Sequence, residues 1–158
     1  AVIRVMPNTP TQIGEGMSLW TCTEEVSDES RGLTKSILGT VGKEIYADDE
    51  KYMDMATALS ASGPAYVFLF LEALIDAGAY LGPPRETAHT LAVQTSRGSA
   101  TLARESGKHP AELRNMVTSP GGTTAEALLA LEEEGFRGII MNAVIAAHEK
   151  AITLGEED

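Results

Sequence analysis

The sequence predicts a mainly α-helical protein that begins with a short α/β segment. Over residues 1–50, short β-branched or apolar runs and one helix pattern are separated by turns that contain proline or glycine. From residue 51 onward the strand pattern is absent, and long apolar stretches follow one another between glycine and proline breaks. We therefore predict a domain boundary after the charged segment Asp48-Asp49-Glu50, which divides the chain into 1–50 and 51–158.

The first segment is predicted to contain three strands and one helix. Ser27 is a suitable N-cap for a helix from about Asp28 to Leu38, which Gly39 or Gly42 ends. The strands are predicted at 2–5, 17–22 and 43–47. This order of strands and helix is typical of one edge of a larger α/β sheet. A segment of fifty residues would also be marginally stable alone, which favours its being part of a larger domain.

The second segment is predicted to be all helical. Its first helix runs from about Glu50 to Leu81, and Pro64 should kink or break it because proline removes a backbone donor. The remaining helices are predicted at 84–106, 111–117, 124–134 and 136–153.

Two of these helices lack a polar face. Residues 65–71 are apolar all round, and residues 139–147 are apolar over most of their surface. Such helices need to be buried on all sides, and a domain of about a hundred residues is too small to cover both. An obligate homodimer is the favoured interpretation, and a buried central helix in a monomeric bundle is the alternative.

Composition narrows the class of partner and compartment. The net charge of −11, from 12 basic and 23 acidic residues, argues against nucleic acid and against an anionic membrane surface. The longest apolar run, 65–71, is shorter than a membrane span needs. A single cysteine, Cys22, fits a reducing compartment, so we expect a cytoplasmic protein. Because the chain opens on Ala1 rather than Met and a strand follows at once from Val2, we expect a fragment, or a processed or truncated product.

A glycine-containing turn is the clearest candidate site. Pro120, Gly121 and Gly122 precede a helix start, with Thr123 as the expected N-cap and Glu126 three residues on, where a capping box needs it. Free N–H groups at such a helix start can hold a small carboxylate or a phosphate. Hydroxyls of Ser119, Thr123 and Thr124 could complete the cradle. A capped helix after a tight turn, with no ligand, explains the spacing equally well.

Three motifs resemble those of pyrroline-5-carboxylate reductase. They are Val-Met-Pro-Asn-Thr-Pro at 5–10, Leu-Ser-Ala-Ser-Gly-Pro-Ala-Tyr at 59–66 and Val-Thr-Ser-Pro-Gly-Gly-Thr-Thr at 117–124. The resemblance extends over nearly the whole chain, with Ala61 standing where the family usually has glycine. It implies that 51–158 is a helical dimerisation and substrate-binding domain, and that 1–50 is the short remnant of a Rossmann domain.

The resemblance also implies a reaction. The family reduces 1-pyrroline-5-carboxylate to L-proline with NADPH or NADH, works as a homodimer and often builds larger rings of dimers. The Gly-x-Gly-x-x-Gly turn that grips such cofactors is missing, because Gly14-Glu15-Gly16 matches too few positions. We therefore expect the chain alone to lack activity.

Candidate site residues follow from the same resemblance. It implies that Thr57 approaches the ring nitrogen of the substrate, although a helical threonine commonly bonds to its own backbone instead. The substrate carboxylate and ring would be bound by Ser62, Val117, Ser119, Gly121, Gly122, Thr123 and Thr124, and the nicotinamide would pass Met6, Pro7 and Asn8.

No metal site is expected, because His89, His109 and His148 lack ligand spacing. Two other classes of function remain open. One is a non-catalytic dimerisation module, and the other is a different small-acid oxidoreductase with a similar helical domain.

Overall fold

A computed structural model describes residues 1–156, and it confirms a mainly helical chain with one small sheet. The strands are β1 (Ile3–Met6), β2 (Gly16–Cys22) and β3 (Gly42–Tyr46), and a 3₁₀ turn covers Thr9–Ile13. The helices are α1 (Asp28–Gly39), α2 (Tyr52–Ala56), α3 (Gly63–Tyr80), α4 (Arg85–Ser106), α5 (Pro110–Met116), α6 (Thr123–Glu133) and α7 (Phe136–Glu156). The described chain forms two compact units.

The strand unit comprises residues 1–66 and the end of the chain from Met141. Its sheet has the order β1-β2-β3, with β1 antiparallel and β3 parallel to β2. The α1 crossover makes the parallel pairing possible, and the Ser27 hydroxyl caps α1 as predicted by accepting a hydrogen bond from the N–H of Ser30. Gly42, at φ 151°, lies against Gly16, where any side chain would overlap the Gly16 backbone.

The core of the strand unit lies between the sheet and α2. Leu19, Ala47, Met53 and Ala56 form a buried cluster, and Met6 packs against it. Trp20, 3% exposed, occupies the other face of β2, where its indole N–H donates to Glu44 Oε2 at 2.7 Å. The strand unit thus completes a core from its own residues.

The predicted break in the first long helix is confirmed close to Pro64, but it takes the form of a π-helical turn. A π-helical turn at Thr57–Ala61 separates α2 from α3, and Pro64 falls in the first turn of α3 rather than at a kink. Proline is tolerated there because helical N–H groups at that position lack an intrahelical acceptor. The Ser62 N–H donates to the Thr57 carbonyl five residues back, at 2.9 Å.

The helical unit, Val67–Ile140, buries little of its own surface. Its buried apolar side chains are Ala88 and Ala92 of α4, and Gly78 of α3 approaches Ala88 so closely that an added Cβ would lie 3.0 Å from the alanine methyl. By contrast Phe68 is 59% exposed, and α3, all of whose residues the structure describes, contains no buried side chain. The alternative of a buried central helix in a monomeric bundle is therefore wrong.

One helical stretch, Tyr52–Tyr80, is long and apolar enough to cross a membrane by length and composition. The run 65–71 is itself shorter than a span, whereas the window average over this stretch includes scattered polar residues. One such helix is weak evidence of a membrane.

Candidate functional site

The predicted turn before α6 forms as a tight backbone turn. The Gly122 N–H donates to the Ser119 carbonyl at 3.1 Å, with Pro120 and Gly121 at the two central positions. Gly121 has φ 67°, which favours glycine at the third position of such a turn. A Cβ on Gly122 would overlap the Ser119 hydroxyl and lie 3.2 Å from the Ser119 carbonyl oxygen. The sequence predicted a close approach to the backbone at these glycines, and Ser119 of the same turn is the residue that makes it.

The helix cap differs from the prediction. Gly122, with φ −85° and ψ 165°, is the N-cap of α6, and Thr123 is already the first helical residue. The predicted capping box between Thr123 and Glu126 is therefore wrong, and the described structure contains no side-chain hydrogen bond at this cap. The physical reason is that the Gly122 N–H closes the turn on the Ser119 carbonyl while the Gly122 carbonyl accepts the first helical bonds, which places the helix start one residue earlier.

This shift leaves two backbone donors at the helix start. The N–H groups of Ala125 and Glu126 both donate to the Gly122 carbonyl, at 3.0 and 3.3 Å. The N–H groups of Thr123 and Thr124 have no acceptor in the part of the chain that the structure describes. Helix α6 has eleven residues, so its dipole adds positive potential at these donors. The arrangement can accept a small anion.

The other residues of this segment are placed as follows. Val117 is 68% exposed, and its N–H donates to the Arg114 carbonyl at the end of α5. The neighbouring Thr118 hydroxyl donates to the same carbonyl at 2.7 Å, so it is used within the helix end. Ser119 is exposed, and its hydroxyl stands beside Gly122. The turn thus combines Ser119 and two backbone donors in six residues.

Thr57 and Ser62 lie together in the π-helical turn of the strand unit. The Thr57 hydroxyl donates to the Met53 carbonyl at 2.8 Å, which is the local bond common for a helical threonine. The Ser62 N–H closes the turn on the Thr57 carbonyl at 2.9 Å. Both residues are half-buried. The Thr57 hydroxyl hydrogen is therefore used within the helix, and its oxygen keeps lone pairs that can accept a bond.

Met6 ends β1, and Pro7 and Asn8 follow it. Met6 packs on the core cluster and Pro7 is exposed. The Asn8 side chain is held on both sides, since its Oδ1 accepts from the Met17 N–H at 2.9 Å and its Nδ2 donates to the Ser60 carbonyl at 3.3 Å. The sequence reasoning missed Ser60, although Pro64 four residues later was a usable signal, because it deprives the Ser60 carbonyl of its helical donor.

The remaining chemical candidates have structural roles. His109 Nδ1 accepts from the Ala111 N–H as the N-cap of α5. Within residues 1–156, no group of three or more His, Cys, Asp or Glu side chains could hold a metal. Cys22 is half-buried, with its sulfur 3.8 Å from the Tyr46 hydroxyl.

The architecture and the turn define a class of protein: a helical domain with an uncovered apolar surface, attached to a small α/β unit, with two backbone N–H groups left without acceptors at the start of α6 in the described residues. Comparison with known sequences is more specific. A family model for pyrroline-5-carboxylate reductase dimerisation matches residues 50–154. The chain belongs to this family.

Individual relatives agree with the family match. The chain is 47% identical over 149 residues to a pyrroline-5-carboxylate reductase of Pisum sativum, covering 94% of the chain and 54% of the relative. It is 47% identical over 155 residues to that of Corynebacterium melassecola, covering 98% and 57%. The chain thus spans about half the length of these curated relatives.

Solved structures give the same result. The pyrroline carboxylate reductase of Plasmodium falciparum, solved with NADP bound, superposes with a TM-score of 0.93 at 40% identity, covering 98% of this chain and 63% of the other. The reductase of Coxiella burnetii gives a TM-score of 0.91 at 40% identity, covering 96% and 56%. The resemblance predicted from the three motifs is confirmed.

Proposed function

We propose that the full-length protein containing this chain is a pyrroline-5-carboxylate reductase, which reduces 1-pyrroline-5-carboxylate to L-proline in the last step of proline synthesis. The observation that carries the proposal is the superposition on a solved reductase over 98% of this chain at a TM-score of 0.93. Because this chain spans about half of its relatives, the activity belongs to the full-length protein. The division into 1–50 and 51–158 is part of the proposal, and the family match beginning at residue 50 supports it.

In this proposal the turn before α6 binds the substrate carboxylate. The N–H groups of Thr123 and Thr124 are the donors, and the hydroxyls of Ser119 and Thr124 add to them. Gly121 and Gly122 would leave the backbone open to the carboxylate, and the resemblance to the family would assign Val117 and Ser62 to substrate binding. Backbone donors suit this role because they are fixed in place before the substrate arrives.

Thr57 has a defined role in the same proposal. Its hydroxyl hydrogen is committed to the Met53 carbonyl, so the oxygen is an acceptor. An acceptor there would orient the protonated ring nitrogen of the imine substrate by taking a hydrogen bond from its N–H. This chain would therefore bind and orient the substrate rather than donate a proton from Thr57.

NADPH or NADH would supply the hydride when bound. The residues present do not suffice to hold such a cofactor, because Met6 and Asn8 are committed to internal contacts and residues 1–156 lack the glycine-rich turn. We propose only that the segment 6–8 borders the nicotinamide. The choice between NADPH and NADH would depend on residues outside this chain.

The assembly and location are also proposals. The uncovered apolar helices and the dimerisation family support a homodimer, and larger rings of dimers are the proposed next level. A cytoplasmic protein that binds neither nucleic acid nor membrane is supported by the net charge of −11. Either a partner chain or a lipid bilayer would cover the apolar stretch Tyr52–Tyr80. Sedimentation without detergent distinguishes them, because a dimer covered by its partner chain stays in solution.

The deciding experiment measures NADPH- and NADH-dependent reduction of 1-pyrroline-5-carboxylate by the full-length protein. Gly122→Val should abolish turnover, because its side chain would collide with Ser119 and displace the turn, whereas Thr124→Ser keeps the hydroxyl and the backbone donors. Calorimetric titration with proline should rank the two variants in the same order. Equal proline affinity in both variants would contradict the proposed carboxylate site, and an inactive full-length protein would contradict the reductase.

The second candidate function is a non-catalytic dimerisation module. The uncovered apolar surface of the helical unit favours it. It predicts dimerisation without proline binding. A different small-acid oxidoreductase predicts turnover with another acid and none with 1-pyrroline-5-carboxylate.

A further inference from the structure

The π-helical turn at 57–61 leaves two backbone carbonyls without helical donors. The Ser62 N–H is shifted to the Thr57 carbonyl, so the Ala58 carbonyl loses the donor it would have in a regular helix. Pro64 has no N–H, so the Ser60 carbonyl loses its donor as well. Half-buried carbonyls without partners cost free energy, so the turn needs donors from elsewhere.

Two side chains of the strand unit supply those donors. The Tyr66 hydroxyl, in the first turn of α3, donates to the Ala58 carbonyl at 3.1 Å. Asn8 comes from a distant part of the sequence, and its Nδ2 lies 3.3 Å from the Ser60 carbonyl oxygen and 3.4 Å from the Ser60 hydroxyl. Asn8 is thus the long-range support of this turn.

The orientation of the Asn8 amide is fixed by its partners. The Met17 N–H can only donate, so it must face Oδ1, at 2.9 Å. The Ser60 carbonyl can only accept, so it must face Nδ2. One amide therefore ties the start of β2 to the π-helical turn, and the turn in turn carries Thr57 and Ser62.

We propose that Asn8 is a positioning residue, which holds the π-helical turn in place by donating to the carbonyl that Pro64 leaves without a helical donor. The structural half of this proposal stands on the contacts alone. Its consequence for turnover, through Thr57, rests on the proposed function.

The first test is amide hydrogen exchange across residues 57–62 in the full-length protein. Asn8→Asp keeps the acceptor for the Met17 N–H but replaces the donor by a carboxylate facing the Ser60 carbonyl. Gln12→Glu is the matched control, because it makes the same charge change at an exposed site in the adjacent 3₁₀ turn. We expect about tenfold faster exchange in Asn8→Asp only, as the loss of one supporting bond implies. Equal exchange in the two variants would overturn the proposal.

The second test restores the missing donor. Pro64→Ala returns an N–H at residue 64 that can serve the Ser60 carbonyl, so the effect of Asn8→Asp should largely disappear in that background. An effect of undiminished size would overturn the proposal. Should Asn8→Asp alone fail to fold, the double variant decides, since a folded protein supports the proposal and an unfolded one overturns it.

Turnover separates positioning from direct cofactor contact. We expect Asn8→Asp to lower kcat about tenfold, and Pro64→Ala to restore most of that loss. A loss of kcat that Pro64→Ala leaves unchanged would assign Asn8 to direct cofactor contact and overturn positioning. If the unaltered full-length protein has no reductase activity, the proposed function fails, while the exchange result still decides the structural half.

Discussion

The two units of the chain differ in where their apolar side chains lie. In the strand unit, the sheet and α2 enclose a cluster of Leu19, Ala47, Met53 and Ala56, and Trp20 is buried on the other face of β2. In the helical unit, the buried apolar side chains are two alanines, while Phe68 and Leu69 are 59% and 68% exposed. The two units therefore differ in whether their large apolar side chains are covered within the unit.

The contrast shows two ways of completing a core. A sheet with a crossover helix needs only a few dozen residues to bury apolar side chains, because its strands pair with one another within the unit. Helices α3 and α4 meet through small residues, Gly78 and Ala88, so their large side chains point away from that contact. An apolar surface of this size exceeds what monomers normally expose, so the helical unit is expected to finish its core against a second copy.

The most disruptive change is expected at Phe68. Phe68→Asp would place a charge where the proposed homodimer buries an aromatic ring, at a cost of several kcal/mol, roughly. We expect loss of the folded protein rather than a folded monomer. Circular dichroism and sedimentation at micromolar concentration measure both outcomes.

The matched control for Phe68 is Ile13→Asp, at a 78% exposed position in the strand unit. It should remain folded, with a melting temperature that rises with protein concentration, as coupled folding and dimerisation require. A compact monomer of Phe68→Asp with a concentration-independent melting temperature would remove the distinction between the two units.

Trp20 tests the other side of the comparison. Trp20→Ala should lower the free energy of unfolding by about 3–5 kcal/mol, because it leaves a cavity and removes the bond to Glu44. The protein should still sediment as a dimer, since the loss lies within one unit. Urea unfolding measures the change, and Tyr52→Ala, at a 44% exposed aromatic position, is the control with little expected effect. Dissociation of Trp20→Ala into folded monomers would show that the strand unit also belongs to the interface.

Local chemistry explains how much of the fold the sequence predicted. Proline and glycine limit each strand, and Ser27 caps α1, so those elements follow from nearest neighbours. The π-helical turn and the Gly122 cap were missed. The π-helical turn and the Gly122 cap both depend on which N–H or hydroxyl group donates to each backbone carbonyl. At 57–61 the deciding donors are the side chains of Asn8 and Tyr66, and neither is adjacent in sequence.

The candidate site was only partly predictable for the same reason. The turn at 119–122 forms because Pro120 and Gly121 suit its two central positions, which is a local property. The partners of Asn8 lie 9 and 52 residues away, so only the fold brings them together. The roles of Thr57 and of the turn in binding remain predictions.

The smallest effect is expected at a surface ion pair on which neither unit depends. The Arg137 guanidinium donates to Glu132 at 2.8 Å and lowers the pKa of that carboxyl below its usual value. A lowered folded-state pKa stabilises the protein above the unfolded-state value of about 4.3, and this contribution is lost as the pH falls through the folded-state pKa.

Glu132→Gln should therefore lower the melting temperature slightly at pH 7 and by less at pH 3. Glu133→Gln, a neighbouring exposed glutamate, is the control and should behave like the unaltered protein at both pH values. A larger loss than that of Trp20→Ala would show that the helical unit depends on its surface charges after all.

The uncovered surface of α3 also has a consequence during synthesis. Phe68 of α3 leaves the ribosome about 70 residues before α7 begins, which corresponds to roughly 4 to 14 s at ordinary rates of translation. For that interval Phe68 and Leu69 face solvent before their own unit and the proposed second subunit are complete. A nascent chain in this state is a client for chaperones. Neighbouring ribosomes on one messenger RNA would shorten its exposure by supplying the second subunit nearby.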